Sequence, residues 1–411
     1  MRKPLLLTSV PLLLLAGCGG GGGGMGPPPP PPPPGQVIAT PGPPNVEPIV
    51  MDAGPANSIN TGFVTVTICI PNSATCQTID HIEVDTGSSG LRIIGSLLTI
   101  NLPVETSAGG LPIAECLQFA DGSSFGPVAV ADMQLPTSGK TAAALSVQVI
   151  GASNYPTVPS DCPGKPENDV ASFGANGILG VGPFLQDCGL ACEQQVIPGS
   201  YYNCPTPSTC AAATATTAEQ VSNPVSLFSA DNNGVIVEMP DVASGGVATA
   251  SGSLVFGIGT QSNNALGSAT VLMASNVNGF IQATYNGTPN LNAALDSGSN
   301  ATYFADSSIA ICPSNASFFC PASTLNLTAT LAGTTGSMLA ADFTVVNAEN
   351  ALNANPSARA LPGLAGPISN LSGSNTTLQF DLGMPFYFGR NVFTAIENQT
   401  TPGGMGPYYA Y

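Results

Sequence analysis

Ile82-Glu83-Val84-Asp85-Thr86-Gly87-Ser88-Ser89-Gly90-Leu91 in the first half of the chain is echoed by Ala293-Ala294-Leu295-Asp296-Ser297-Gly298-Ser299-Asn300-Ala301-Thr302 in the second. Each copy is a short apolar run that ends in Asp-[Thr/Ser]-Gly-Ser. Each is followed, at nearly the same distance, by an apolar-apolar-Gly tripeptide: Ile178-Leu179-Gly180 after the first and Tyr387-Phe388-Gly389 after the second. One such tetrapeptide is an ordinary turn after a strand. Two, each with a matched partner downstream, mark an internal duplication.

An aspartate at the end of a buried strand, followed by a residue without a side chain, can be approached closely by another backbone. If the two loops meet, their carboxylates share one site, where like charges cannot both ionise and a single proton is held by the pair. Such a pair polarises water with its ionised member and a carbonyl with its protonated one. The chemistry needs no metal, imidazole or covalent intermediate, which suits a chain whose one histidine is His81.

Composition narrows the alternatives. The 411 residues are 43% hydrophobic and 8% charged, with 7 Lys+Arg against 24 Asp+Glu, so the chain lacks the basic footprint that nucleic acid requires. With 48 Gly, 39 Pro and no Trp, it reads as turns and short strands rather than helices. Gly62–Ile70, Ala143–Ile150 and Val235–Met239 alternate as strands, and Asn233-Gly234 reads as a hairpin turn after Leu227-Phe228. Residues 204–223 lack a sustained apolar period, and the low-complexity run Ala211–Thr217 within them reads as a surface loop.

The N-terminus carries a separate message. Arg2 and Lys3 precede a leucine-rich run that closes in Leu15-Ala16-Gly17-Cys18, the pattern of an export signal. The ending resembles the bacterial lipobox, which implies acylation of Cys18 and membrane attachment, with Gly19 favouring the outer membrane. Gly19–Gly24 and Pro27–Pro34 then form a flexible coil and a semi-rigid rod that lift a domain off the bilayer. The ten remaining cysteines suit disulfides in an oxidising compartment. Sequence neighbours suggest Cys69/Cys76, Cys188/Cys192, Cys204/Cys210 and Cys312/Cys320, leaving Cys116/Cys162, although spacing alone does not fix connectivity. A zinc reading of the cysteines at 188–210 has poor spacing, and no metal or cofactor is implied.

From residue 49 to the C-terminus the sequence resembles the pepsin-like, bilobal aspartic peptidases. The resemblance implies an all-β double barrel with a cleft between two pseudo-symmetric lobes, 49–245 and 246–411, after a leader at 1–17 and a tether at 18–48. It implies catalysis by Asp85 and Asp296, loops braced by Thr86 and Ser297 around Gly87 and Gly298, and carboxylates supported by Ser88 and Ser299. The two apolar-apolar-Gly tripeptides match the segments threaded beneath the loops. Leu117–Ser123 falls at the flap, making Phe119, Asp121, Gly122 and Ser123 substrate-binding candidates, and Gly252–Gly257 resembles the strand opening the second lobe. A narrower likeness is to a family of proteobacterial lipoproteins that shares the lipobox and the Phe388-Gly389-Arg390 ending.

Three positions depart from the peptidase pattern. Phe119 stands for the flap tyrosine, Arg92 stands for the tryptophan seven residues past the first aspartate, and Arg390 replaces an aspartate after the second tripeptide. Arg92 is thus a candidate cation at the cleft. The expected activity is hydrolysis of an extended peptide by a monomer attached to the membrane through its lipid, facing the periplasm or the cell surface. The alternatives are an inactive binding lipoprotein using the same cleft and a structural envelope protein.

Overall fold

The computed structural model describes residues 36–120, 122–368 and 378–411. Cys18 and the rest of the leader and spacer, and Asp121, lie outside the described residues. The fold is all-β, built from a closed six-strand barrel, an open half-barrel and a sheet shared between them.

The barrel runs around Phe63–Cys69, Cys76–Asp85, Gly177–Val181, Ser89–Ile94, Thr141–Ile150 and Ser123–Gln134, and it closes where Thr67–Cys69 pair with Asp132–Gln134. Its interior is filled by β-branched and aliphatic side chains from alternate positions, among them Val66, Ile68, Val84, Leu91, Ile93, Val147 and Leu179. Closure removes the free edges that an open sheet would expose.

The half-barrel places Thr288–Leu295 beside Ile281–Tyr285 on one side and Phe380–Leu382 on the other. Thr302–Phe304 and Ala365–Pro367 extend it one way, Leu325–Ala332 and Met338–Val345 the other. An open sheet has no opposite wall to pack against, and large rings compensate. Tyr285, Phe319, Phe343 and Phe380 surround Phe304 with centroids 5.1–5.5 Å from it, each a large apolar surface taken out of water.

One strand motif occurs in both halves. A hairpin leads into the aspartate loop, a strand leaves it, and a fourth strand threads between them, parallel to the first and antiparallel to the second. In the barrel the threaded strand is Gly177–Val181; in the half-barrel it is Phe380–Leu382.

Val46–Met51, Ala250–Phe256, Gly234–Met239, Arg390–Ala395, Tyr408–Ala410 and Val271–Met273 form the shared antiparallel sheet. The boundary at 245/246 lies in the turn between two paired strands of this sheet. Gln36–Tyr411 is one compact unit, so the folded body begins well before residue 49. The Gln36 amide bonds the Met239 and Arg390 carbonyls at 2.7 Å, and the Ala39 amide donates to Glu238 at 2.6 Å.

Two local expectations are corrected. Pro224–Leu227 is a 3-10 turn and not a strand, so Asn233-Gly234 makes no hairpin. Asn233 bonds both the amide and the carbonyl of Ile258 through its side chain. Tyr201–Thr206 and Thr209–Ala212 pair as a hairpin that takes in the first two residues of the expected loop, Ala211 and Ala212.

All five candidate cysteine pairs are disulfides: Cys69–Cys76, Cys116–Cys162, Cys188–Cys192, Cys204–Cys210 and Cys312–Cys320. Ala348–Ala354, capped by Asn347, is the longest helix among the described residues. No helix there is long and apolar enough to cross a membrane.

Candidate active site

The two aspartate loops meet, and their glycines show how closely. A Cβ added to Gly87 would lie 2.6 Å from the Asp296 carboxyl, and one added to Gly298 would lie 2.7 Å from Asp85 Oδ1. Each loop therefore offers its bare backbone to the carboxylate of the other, which no residue with a side chain permits. Within each loop the glycine amide donates back to its own aspartate, Gly87 N to Asp85 Oδ1 at 2.6 Å and Gly298 N to Asp296 Oδ1 at 2.8 Å. These bonds fix both carboxyl orientations.

Thr86 and Ser297 cross between the loops. The Ser297 amide donates to Thr86 Oγ1 at 2.9 Å and the Thr86 amide to Ser297 Oγ at 3.1 Å. Their hydroxyls donate onward to the Leu295 and Val84 carbonyls at 3.0 and 2.8 Å. Both side chains are fully buried. Beneath the loops, a Cβ on Gly180 would strike Ser88 Oγ and the Gly90 amide, and one on Gly383 would strike the Ala301 and Ser299 carbonyls. Both threaded strands need a glycine for the same reason.

The second threaded segment is therefore Phe380-Asp381-Leu382-Gly383, six residues before the expected Tyr387-Phe388-Gly389. Leu295 pairs with Leu382, and the Asp296 amide donates to the Leu382 carbonyl at 3.1 Å. Phe388 and Gly389 instead pack on the shared sheet, where Gly389 N meets the Met239 carbonyl. Tyr387 does reach the site, its hydroxyl lying 2.9 Å from Thr86 Oγ1.

This places at the site a carboxylate that sequence reasoning missed. Asp381 is 3% exposed, and its Oδ2 accepts a 2.6 Å bond from Ser299 Oγ. The same hydroxyl lies 3.3 Å from Asp296 Oδ2. The available signal was a lone aspartate between Phe380 and Leu382, where a strand beside a buried partner calls for an apolar residue.

The two halves differ in the serines as well. Ser299 contacts its aspartate, whereas the Ser88 hydroxyl is buried and makes no hydrogen bond among the described residues, so the expected support of Asp85 by Ser88 is not made. Burial first, then the charges of Asp85 and Asp381, hold the Asp296 carboxyl well above the usual carboxylate range, against the pull of the Gly298 amide. Burial pushes Asp381 up to about 7, with Ser299 opposing and the Asp85 charge adding. The pair thus keeps a proton on the Asp296 side at pH values where free carboxyls are ionised.

The hairpin Ile113–Gln118/Ser123–Gln134 carries the flap candidates at its turn, where the Phe119 amide donates to the Gly122 carbonyl at 2.8 Å. It is tied down from below. Cys116–Cys162 links it to the following loop, Ser123 and Glu167 pair through their backbones, and a Cβ on Gly122 would strike Glu167 and the Lys165 carbonyl. Tyr201–Thr206 pairs with its outer strand. Phe119 meets Phe173 edge-on at 5.6 Å, and neither Phe119, Gly122 nor Ser123 hydrogen-bonds an aspartate of the pair among the described residues.

Arg92 is not a cleft cation. It is fully buried, with Nη2 2.7 Å from Glu115 and 2.9 Å from Asp187, and Nη1 on the Ser89 carbonyl. Two carboxylates balance it, and burial together with the Glu115 charge raises Asp187 well above its usual range. Tyr201 completes the cluster by donating to Asp187 at 2.7 Å. Arg390 stacks on Phe386 at 4.2 Å and donates to two backbone carbonyls, which makes it a packing residue of the shared sheet.

Comparison with known proteins adds a family. The chain belongs to the family described as protein of unknown function (DUF3443), whose model matches residues 41–411. No curated protein matches it.

Proposed function

We propose that the chain is an aspartic-type endopeptidase of bilobal, pepsin-like architecture, hydrolysing peptide bonds with the Asp85–Asp296 pair. The observation that carries this reading is the reciprocity of the two loops: each glycine lies against the other loop's carboxyl, and Thr86 and Ser297 exchange amide-to-hydroxyl bonds. A binding cleft alone has no need of two carboxyl groups in contact, an arrangement that costs charge repulsion and desolvation.

In the proposed reaction Asp85 takes a proton from a water as its oxygen bonds to the scissile carbonyl carbon, and Asp296 gives its proton to the carbonyl oxygen. Collapse of the resulting diol breaks the C–N bond as the nitrogen takes up the proton held by Asp85 and one diol hydroxyl returns its proton to Asp296, which leaves the carboxylic acid and the amine and restores the pair. The glycine amides keep both carboxyls fixed, so little reorganisation accompanies the proton shifts. Phe119 and Phe173 supply an apolar surface for a substrate side chain beside the turn of the hairpin. Export and attachment through a lipid on Cys18 belong to the same proposal, supported by five disulfides that fit an oxidising compartment.

The reading is tested by calorimetric titration with a peptide in which the scissile amide is replaced by a hydroxyl-bearing tetrahedral carbon. Wild type is expected to bind it at least about 100-fold more tightly than the parent sequence, as transition-state mimics do, and Asp85→Asn and Asp296→Asn to lose that preference. Equal affinity for both peptides in all three proteins would leave a binding groove in place of a catalytic site.

A further inference from the structure

The site contains three carboxyl groups rather than two, and one hydroxyl joins Asp381 to Asp296. Ser299 Oγ sits 2.6 Å from Asp381 Oδ2 and 3.3 Å from Asp296 Oδ2. A serine hydroxyl carries one hydrogen, so it cannot serve both acceptors at once. From this geometry we infer that Asp381 is a positioning residue: its protonation state decides, through Ser299, whether the outer oxygen of Asp296 receives a hydrogen bond.

Two states follow. With Asp381 ionised, the Ser299 hydrogen goes to the nearer acceptor, Asp381, and Asp296 Oδ2 is left without it. With Asp381 neutral, the Asp381 hydroxyl donates to Ser299 Oγ, which frees the Ser299 hydrogen for Asp296. Burial favours the neutral state, because Asp381 Oδ1 is enclosed and has no hydrogen-bond partner among the described residues, an expensive position for an anion.

The groups facing Asp381 agree. Asp85 lies on the loop of the barrel, Asp296 and Ser299 on the loop of the half-barrel, Tyr387 on the turn that follows the threaded strand, and Tyr409 on the last strand. All four ionisable neighbours are acids. Among the described residues no lysine or arginine hydrogen-bonds or ion-pairs with any of the three aspartates. An ionised Asp381 withdraws a donor from Asp296 and adds a negative charge, and both effects make Asp296 hold its proton to higher pH. The consequence for rate, which rests on the peptidase reading, is that Asp381 extends the working range of the pair toward neutral pH.

The test is a carboxyl titration of the full chain labelled with 13C at aspartate Cγ, run with Asp381→Asn, Asp381→Leu, Ser299→Ala and the double variant Ser299→Ala/Asp381→Asn. Asparagine donates to Ser299 at every pH, and leucine leaves Asp296 as the nearer acceptor. Both are expected to move the Asp296 titration to lower pH by about one pH unit, the scale set by a nearby like charge. The shift should shrink in the Ser299→Ala background. Where cleavage is measurable, the alkaline limb of kcat/KM should move with it. Thermal unfolding of each variant separates titration from loss of fold, and the leucine variant carries the test if the asparagine one does not fold. An Asp296 titration that stays in place in a folded Asp381 variant, or that shifts equally without Ser299, overturns the inference. The titration needs no turnover, so a shift in a protein that cleaves nothing would sink the peptidase reading and leave the role of Asp381 standing.

Discussion

Thr86 and Ser297 hold each other by their backbones and hydroxyls at once: the Ser297 amide donates to Thr86 Oγ1 at 2.9 Å, and the Thr86 amide to Ser297 Oγ at 3.1 Å. Thr86 Oγ1 also donates to the Leu295 carbonyl and contacts the Tyr387 hydroxyl, which uses its full hydrogen-bonding capacity. The brace joins a loop of the closed barrel to a loop of the half-barrel, so the geometry of the carboxyl pair depends on it.

Removing the brace should therefore cost stability out of proportion to the atoms deleted. Thr86→Val leaves buried polar groups unpaired at Ser297, Leu295 and Tyr387, and Ser297→Ala leaves them at Thr86 and Val84. At about 1–3 kcal/mol for each buried unpaired group, the expected losses are roughly 3 and 2 kcal/mol by chemical denaturation. The double variant should lose less than the sum, with a coupling above about 0.5 kcal/mol. Additive losses would show that the two residues do not act as a pair.

Arg92 should behave as a buried ion in a filled core. Arg92→Met strands Glu115 and Asp187, both buried, and the expected loss is about 3–5 kcal/mol. Combining it with Glu115→Leu and Asp187→Leu should recover most of that loss. A single substitution that costs under about 1 kcal/mol would contradict the placement of the guanidinium.

Acid should stabilise the fold. Burial raises Glu238 to about 7, against the opposing bond from the Ala39 amide, and it raises Asp187, Asp296 and Asp381 in the same direction. A carboxyl whose folded pKa lies above its unfolded one binds more protons when folded. Its contribution is complete below the unfolded value and is lost as pH rises through the folded value. For Glu238 the window runs from 4.5 to about 7, worth up to about 3 kcal/mol at 1.36 kcal/mol per pH unit. Unfolding free energy should fall from pH 5 to pH 8, less steeply in Glu238→Gln. A curve that rises over that range would contradict the buried, proton-holding state of these groups.

The disulfides should rank by the loop that each closes. Cys116–Cys162 spans 46 residues and Cys188–Cys192 spans 4. Loop-closure entropy then gives about 4 kcal/mol for the first and about 2 kcal/mol for the second. Replacing Cys116 and Cys162 by serine should also speed proteolytic nicking near residues 117–123, since that bond ties the hairpin down. Equal losses for the two pairs, with no change in nicking, would show that the hairpin is held by its backbone pairing alone.

Much of this was legible in the chain itself. The two Asp-[Thr/Ser]-Gly-Ser copies, the alternating strands at 62–70, 143–150 and 235–239 and the proximity of the cysteine pairs are local signals, and local signals survive without an alignment. What escaped was tertiary. Arg92 reads as a cleft cation because its partners stand 23 and 95 residues away. Asn233-Gly234 has hairpin chemistry, but its side chain is taken by the Ile258 backbone. Gln36–Pro48 has the composition of a linker, and its anchors on Met239, Glu238 and Arg390 appear only when the shared sheet forms. The second threaded strand was missed because equal spacing in both halves is not required by the geometry. What the loop requires is a glycine beside Ser299, and Gly383 fills that place at the end of a strand whose middle residue is an acid.

The central claim is that Asp85 and Asp296 act together on a peptide bond, and the most direct test is cleavage of a diverse peptide library by the oxidised protein from pH 3 to pH 8 (about the range over which carboxyl pairs titrate), beside the folded Asp85→Asn and Asp296→Asn variants. The account predicts cleavage by wild type that each substitution lowers by at least about a thousandfold, in line with the loss of an essential acid or base. Cleavage that persists in either folded variant, or a folded wild type that cuts nothing at any pH, would contradict it.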